Sequence, residues 1–128
     1  MDKGAAMAES LAAGKVVEII EEPSLADALI GGLGPENNYT FNLNQNYVNN
    51  TILVTEEEIA GAMTFALDKE HLVVEGGGAV GIAALLAGKV EDMGEKVVLV
   101  ISGSNVGLSG LIEIAKREYP YQAAARRI

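Results

Sequence analysis

The sequence contains no cysteine, no tryptophan and a single histidine, and its 18 acidic residues outnumber its 9 basic ones. The absence of cysteine excludes disulfides, thiolate metal sites and cysteine nucleophiles. A net charge of −9 argues against nucleic-acid binding, because neutralising phosphates needs clustered Lys and Arg. No apolar run approaches the roughly 18–20 residues that cross a bilayer, and the N-terminus lacks the order of a secretory signal. We therefore expect a cytoplasmic protein that binds neither nucleic acid nor membrane, and a lone histidine supports no metal site.

The composition favours a folded α/β protein. A chain of 128 residues has the size of one domain. Its composition, 49% hydrophobic and 21% charged residues, is close to the average for soluble domains. Fifteen glycines are too many for a helical bundle, but they suit the tight junctions between strands and helices. With 5% aromatic residues, the core is left to Val, Ile, Leu and Ala.

Local patterns predict that strands and helices alternate along the chain. The strands are predicted at residues 15–20, 51–54, 72–74 and 97–101. The helices are predicted at residues 4–13, after Ser24, after Thr55, at residues 79–87, and after Ser109. The five consecutive apolar residues at 97–101 indicate a central strand covered on both faces, whereas the Asn-rich stretch 33–50 is predicted to be irregular.

Several helix ends carry specific signals. Thr55 and Glu58 have the spacing of a capping box, so the acidic run there is interpreted as a helix start and not as a metal site. Gly14 is predicted to be the C′ residue of its helix, and Gly88 is predicted to end the helix before it. His71 has no serine–acid context for a catalytic triad and is predicted to lie at a helix C-terminus.

The first unusual junction is the run Glu75-Gly76-Gly77-Gly78 before an apolar helix. Three glycines at a helix start let another group come within backbone distance, and free N–H groups there favour an anion or a polar ring edge. The alternative is a tight turn that packs the helix on a strand. The run matches neither a dinucleotide fingerprint nor a Walker loop.

The second junction is Ser102-Gly103-Ser104-Asn105, directly after the most apolar predicted strand. Ligands of open α/β sheets sit outside the carboxyl ends of the strands, and a small hydroxyl there can bond a ligand atom without adding bulk. The alternative is an ordinary polar turn, which Ser, Gly and Asn all suit.

Together with their flanks, the two junctions resemble a known family. The segments Leu72–Ala79 and Ser102–Asn105 are similar to the C-terminal part of the catalytic domain of threonine/serine dehydratases, which are pyridoxal-phosphate (PLP) enzymes of fold type II. Upstream, Ser24–Leu29 resembles the family's (I/L)AD segment, and Ile52–Ile59 resembles its V-S/T-D/E-E-E-I segment. The sequence of residues 73–89 is similar to that of the hydroxyectoine-utilisation dehydratase branch.

The resemblance implies the fold and marks what is missing. It implies that residues 1–128 are one α/β segment, the C-terminal portion of a fold type II domain. This portion is expected to contain a partial open, mostly parallel twisted sheet with flanking helices. Residues 113–128 match the family weakly. The family's Schiff-base lysine motif and S-G-G-G-L phosphate loop lie upstream of the matched region. None of this chain's lysines stands in such a motif, so we expect a fragment that has no catalytic residue and is inactive alone.

Site roles follow from the resemblance residue by residue. Ser102 matches the serine that hydrogen-bonds the pyridine nitrogen of PLP, and Gly103 follows it in the same turn. Glu75, with the backbone of Gly76 and Gly77, is expected to line the ring pocket. Asn105 fits the motif. Ser104 replaces the family's usual second glycine, so a side chain there changes the shape of the turn.

For the complete enzyme, the resemblance implies that a threonine- or serine-type hydroxy amino acid is dehydrated and deaminated to a 2-oxo acid and ammonia. The PLP is expected in the full-length enzyme and not on this fragment alone. Because the apolar segments would lie uncovered in isolation, we expect a homo-oligomer. The alternative is a free-standing, non-catalytic binding or assembly module that keeps the half-fold.

Overall fold

The described part of the chain consists of short helices joined by irregular segments. The structure, a computed structural model, describes residues 1–37 and 39–117. Its helices are α1 (Ala6–Ala13), a 3-10 helix (Asp27–Leu29), α2 (Thr40–Tyr47), α3 (Glu56–Lys69), α4 (Gly76–Leu86) and α5 (Leu108–Ala115).

The longest helix, α3, starts at the predicted capping box. The Glu58 N–H donates to the Thr55 hydroxyl at 3.2 Å, and the Thr55 N–H donates to the Glu58 carboxylate at 2.8 Å. Each bond satisfies a backbone donor that the first turn of a helix leaves unpaired. The prediction of a helix start after Thr55 is confirmed.

The core lies between α3, α4 and α5. Helix α3 packs along α4 and against α5, while the 3-10 helix packs against α4. Small side chains on α4 let the two longer helices approach closely, and Gly76–Ala79 are all buried. The largest fully buried apolar side chains are Ile59, Met63, Val54 and Val74.

Left-handed residues end three of the helices. Gly14 and Gly88 end their helices, as predicted. Their φ values are 68° and 66°, and in each case two backbone N–H groups bond back to the last turn. After α3 the same reversal is made by His71, with φ 57°. This places the Leu72 N–H 2.9 Å from the Ala66 carbonyl, so the predicted position of His71 at a helix end is confirmed.

The predicted sheet is not confirmed, because residues 1–37 and 39–117 contain no strand. The prediction that residues 97–101 form a central strand covered on both faces is wrong. Val98 and Val100 are 88% and 80% exposed, and the side chains that alternate with them are 37–50% exposed. A strand exists only through its ladder partners, and the described residues supply none for this segment.

Three smaller predictions also need correction. Residues 33–50 contain α2, because Asn37 Oδ1 accepts from the Phe41 N–H at 2.9 Å and from the Thr40 hydroxyl at 2.8 Å, and Phe41 is buried. Ser109 lies inside α5, whose N-cap is Gly107. The helix predicted at 79–87 begins within the glycines, at Gly76. The weakly matched tail, 113–128, lies outside the described residues from 118 onward.

Across the described ranges, no helix combines the length and apolarity that crossing a membrane requires.

Candidate functional site

The Glu75 side chain connects the two glycine-rich junctions. Glu75 is the N-cap of α4, and its Oε2 accepts a hydrogen bond from the Asn105 N–H at 2.8 Å. The Glu75 N–H in turn donates to the Gly103 carbonyl at 3.1 Å. A Cβ at Gly103 would overlap the other carboxylate oxygen, Oε1, so the missing side chain at 103 is what admits the carboxylate. Glu75, Gly103 and Asn105, predicted from sequence, are therefore brought together.

Packing accounts for two of the three consecutive glycines. A Cβ at Gly76 would overlap the Leu25 carbonyl, and one at Gly78 would lie 2.9 Å from Val74 Cγ1 and 3.0 Å from the Gly103 carbonyl oxygen. Backbone closes the position at Gly76, and the Val74 side chain with the Gly103 backbone closes the one at Gly78, as the alternative interpretation of a tight packing turn predicts.

Gly77 differs from its two neighbours. A Cβ there would meet Leu29 Cγ at 3.5 Å, Ala28 Cβ at 3.6 Å and Glu75 Oε1 at 4.0 Å, all ordinary contacts. The described neighbours do not require glycine at 77. The space at this position holds about one methyl group, and the close approach of a further group at Gly77 stays a prediction.

Ser102 lies in the second junction with its side chain exposed, and its hydroxyl makes no hydrogen bond with the described residues. Asn105 contributes its backbone N–H to Glu75. Ser104 is also exposed, and its carbonyl accepts from the Val106 N–H at 2.9 Å.

The carboxylate changes the electrostatics predicted for the first junction. A negative charge at the N-terminus of α4 interacts favourably with the helix dipole. Because Glu75 already supplies that charge, the junction suits a hydrogen-bond donor or a neutral ring edge better than a phosphate. The predicted preference for an anion is therefore not supported by the geometry.

Two lysines form hydrogen bonds and ion pairs away from the two junctions. Lys89 Nζ donates to the Glu58 carboxylate at 2.7 Å and to the Leu53 carbonyl at 3.0 Å, and Lys116 bonds Glu113 at 3.0 Å. Burial raises the pKa of Glu58, but the bonds from Lys89 and Thr55 outweigh it and hold that pKa below its usual value.

The sequence did not indicate that residues 24–29 cover the glycine run. The Glu56 carboxylate binds Ser24 and Leu25, and residues of this segment lie against Gly76 and Gly77. The only local signal was the (I/L)AD resemblance of Ser24–Leu29, which carries no information about a partner about thirty residues away. A cleft of about 490 Å³ between Leu33 and Thr40 contains none of the predicted site residues.

Comparison with known proteins decides the family. The profile described as "Pyridoxal-phosphate dependent enzyme" matches residues 2–103. The chain belongs to this family. It is 38% identical over 111 residues to the L-threonine ammonia-lyase of Thermotoga maritima, covering 87% of this chain and 27% of that protein. A Sinorhizobium fredii protein, named provisionally as a threonine dehydratase, is 46% identical over 108 residues, covering 84% and 32%.

A comparison with solved structures agrees with this family assignment. Maize serine racemase superposes with a TM-score of 0.77 at 26% identity, over 98% of this chain and 37% of that one. The family resemblance is thus confirmed, and the chain has an α/β fold type II relative even though its described residues show no strand. The chain spans about a third of the length of the relatives it matches.

The described residues fit one side of a PLP site. A PLP enzyme needs a lysine for the aldehyde and a partner for the ring nitrogen, and it also needs donors for the phosphate. Ser102 offers an unengaged hydroxyl, and the exposed turn that carries it is held to the start of α4 by Glu75. Lys89 and Lys116 are bonded to other parts of the chain, and Glu75 disfavours a phosphate at α4.

Proposed function

We propose that this chain supplies the ring-edge side of the PLP site in a dehydratase of threonine- or serine-type hydroxy amino acids. The observation that carries the proposal is the joining of Glu75 to Gly103 and Asn105 across the two junctions. Support comes from the order of those junctions and from the L-threonine ammonia-lyase to which the chain is similar.

Each residue has a defined task in this proposal. The Ser102 hydroxyl hydrogen-bonds the ring nitrogen, and because it is neutral it leaves that nitrogen unprotonated. Gly103 admits the Glu75 carboxylate, which holds the Ser102–Asn105 turn against the start of α4. Gly76 and Gly77 present their backbone to the ring. When bound, PLP supplies the electron sink for loss of water and ammonia from the amino acid.

The rest of the site lies outside this chain in the proposal. The residues that hold the aldehyde, the phosphate and the substrate carboxylate belong to a partner segment that resembles the remaining two thirds of the relatives. Residues 1–128 act as one C-terminal α/β segment, inactive alone, in a cytoplasmic homo-oligomer. The hydroxyectoine-utilisation branch stays a prediction.

The first test is the coding DNA upstream of Met1. A frame that encodes the lysine motif and a glycine-rich phosphate loop supports the proposal. A stop codon followed by a ribosome site favours the non-catalytic module instead.

The second test replaces Ser102 in the protein that carries both parts. Ser102→Ala should lower the formation of 2-oxo acid from L-threonine and change the absorption spectrum of bound PLP. Ser104→Ala is the matched control, because it removes an exposed hydroxyl from the same turn. Equal behaviour of the two variants would contradict the assignment of Ser102.

A further inference from the structure

Glu56 makes a bidentate contact with a segment that is distant in sequence. At the first position of α3, its two carboxylate oxygens accept hydrogen bonds from the Ser24 hydroxyl and from the Leu25 N–H, the latter at 2.7 Å. The Ser24 oxygen also accepts from the Ala26 N–H at 3.0 Å, and Ala26 is completely buried. The carboxylate therefore fixes three consecutive residues.

The segment that Glu56 fixes is the one that covers the glycine run. The Leu25 carbonyl lies where a Cβ of Gly76 would be, and Ala26 N lies 2.8 Å from that position. Two residues further on, Ala28 and Leu29 lie against Gly77. The 3-10 helix that contains both residues packs on α4.

We infer that Glu56 is a positioning residue, which sets the distance between the Ser24–Leu29 segment and Gly77 and so shapes the space beside Glu75. This inference rests on the proposed function for its biological meaning. The contact does not need the cofactor, because all of its donors and acceptors belong to this chain.

One neighbouring residue and one conservative substitution separate this role from a general effect of charge. Glu57 stands next to Glu56 in the same first turn, so it interacts equally with the helix dipole, but it is exposed. A glutamine at position 56 loses the charge and keeps the shape, since its carbonyl can accept from the Leu25 N–H while its amide donates to the Ser24 oxygen.

The test compares amide NMR spectra and hydrogen exchange of the 128-residue chain with those of Glu56→Ala, Glu57→Ala and Glu56→Gln, all without cofactor. In Glu56→Ala, the Leu25 amide should exchange at least about tenfold faster, because a hydrogen bond to a charged group is lost. The Gly76 and Gly77 resonances should shift, while Leu111 on α5 reports that the fold persists. Glu57→Ala should leave the glycines unmoved, and Glu56→Gln should restore most of the protection.

Three results would each overturn the inference: unchanged glycines in Glu56→Ala, equal shifts in Glu57→Ala, or no rescue by Glu56→Gln. If Glu56→Ala fails to fold, Ser24→Ala provides the second variant. It removes one of the two contacts and should move the same glycine signals by a smaller amount; unmoved signals would contradict the inference.

The functional arm uses the PLP-loaded protein that carries both parts. Glu56→Ala should weaken PLP binding and alter its absorption band, whereas Glu57→Ala should change neither; equal effects would overturn the inference. A failure of the proposed function would appear separately, as Ser102→Ala behaving like Ser104→Ala, and it would leave the cofactor-free spectra unaffected.

Discussion

Replacing Gly76 by alanine should be among the most damaging single-methyl additions in this chain. The new Cβ would overlap the carbonyl of Leu25 and lie 2.8 Å from Ala26 N. These are backbone atoms, so no side chain can rotate away. The Ser24–Ala26 segment must move, and it is held by the Glu56 carboxylate.

These contacts determine how much Gly76→Ala lowers the free energy of unfolding. Overpacking a buried site costs about 1–3 kcal/mol, and losing the hydrogen bond from Leu25 to the charged Glu56 costs about 1.5–3 kcal/mol. The higher helix propensity of alanine offsets up to about 1 kcal/mol of this cost. We expect Gly76→Ala to lower the free energy of unfolding by about 2–5 kcal/mol, a large part of the roughly 5–15 kcal/mol typical of a domain.

Gly81→Ala is the matched control on the same helix. Its Cβ would lie 3.2 Å from the end of the Leu99 side chain, which is 37% exposed and free to turn. The variant should be neutral or more stable by up to about 1 kcal/mol. Urea unfolding followed by circular dichroism measures both. Equal stabilities of the two variants would refute the close approach of Leu25 to α4.

Three further predictions concern the helix end, one ion pair and the exposed apolar segment. His71→Gly should raise the midpoint of urea unfolding, since a φ of 57° costs a side-chain-bearing residue about 1–2 kcal/mol; His71→Ala should not. Because Lys89 holds the pKa of Glu58 below its usual 4.5, their contact stabilises the fold above that pH and is lost as pH falls through the folded-state value. The stability deficit of Glu58→Gln, measured by urea unfolding from pH 7 downward, should therefore shrink below pH 4.5; a constant deficit would contradict this. Sedimentation velocity should show self-association that Val98→Lys with Val100→Lys abolishes, whereas a wild-type monomer would contradict the expected oligomer.

Helix ends could be predicted from sequence because their signals are local. The Thr55–Glu58 box, Gly14 and Gly88 each act within one turn of their own position, and all three are confirmed. Helix α2 could not be predicted because Asn37, whose side chain bonds the first turn of the helix, stands in a polar stretch where asparagine is equally typical of an irregular loop.

The predicted sheet depends on partners that a local pattern cannot supply. Residues 97–101 have the composition of a buried strand, yet burial depends on what pairs with them, and that is a non-local property. The same limit applies to the site. The Gly76–Gly78 run signalled a close approach, but it did not show that Leu25 and Glu56, far away in sequence, provide it.

We propose that this chain holds one side of a PLP site and not the whole site. The most direct test incubates the 128-residue chain with PLP, reduces it with borohydride and locates adducts by mass spectrometry of peptides. We expect no stoichiometric adduct at any single lysine, because the proposed function assigns the lysine that holds PLP to another segment. Stoichiometric trapping on one lysine of this chain would contradict it.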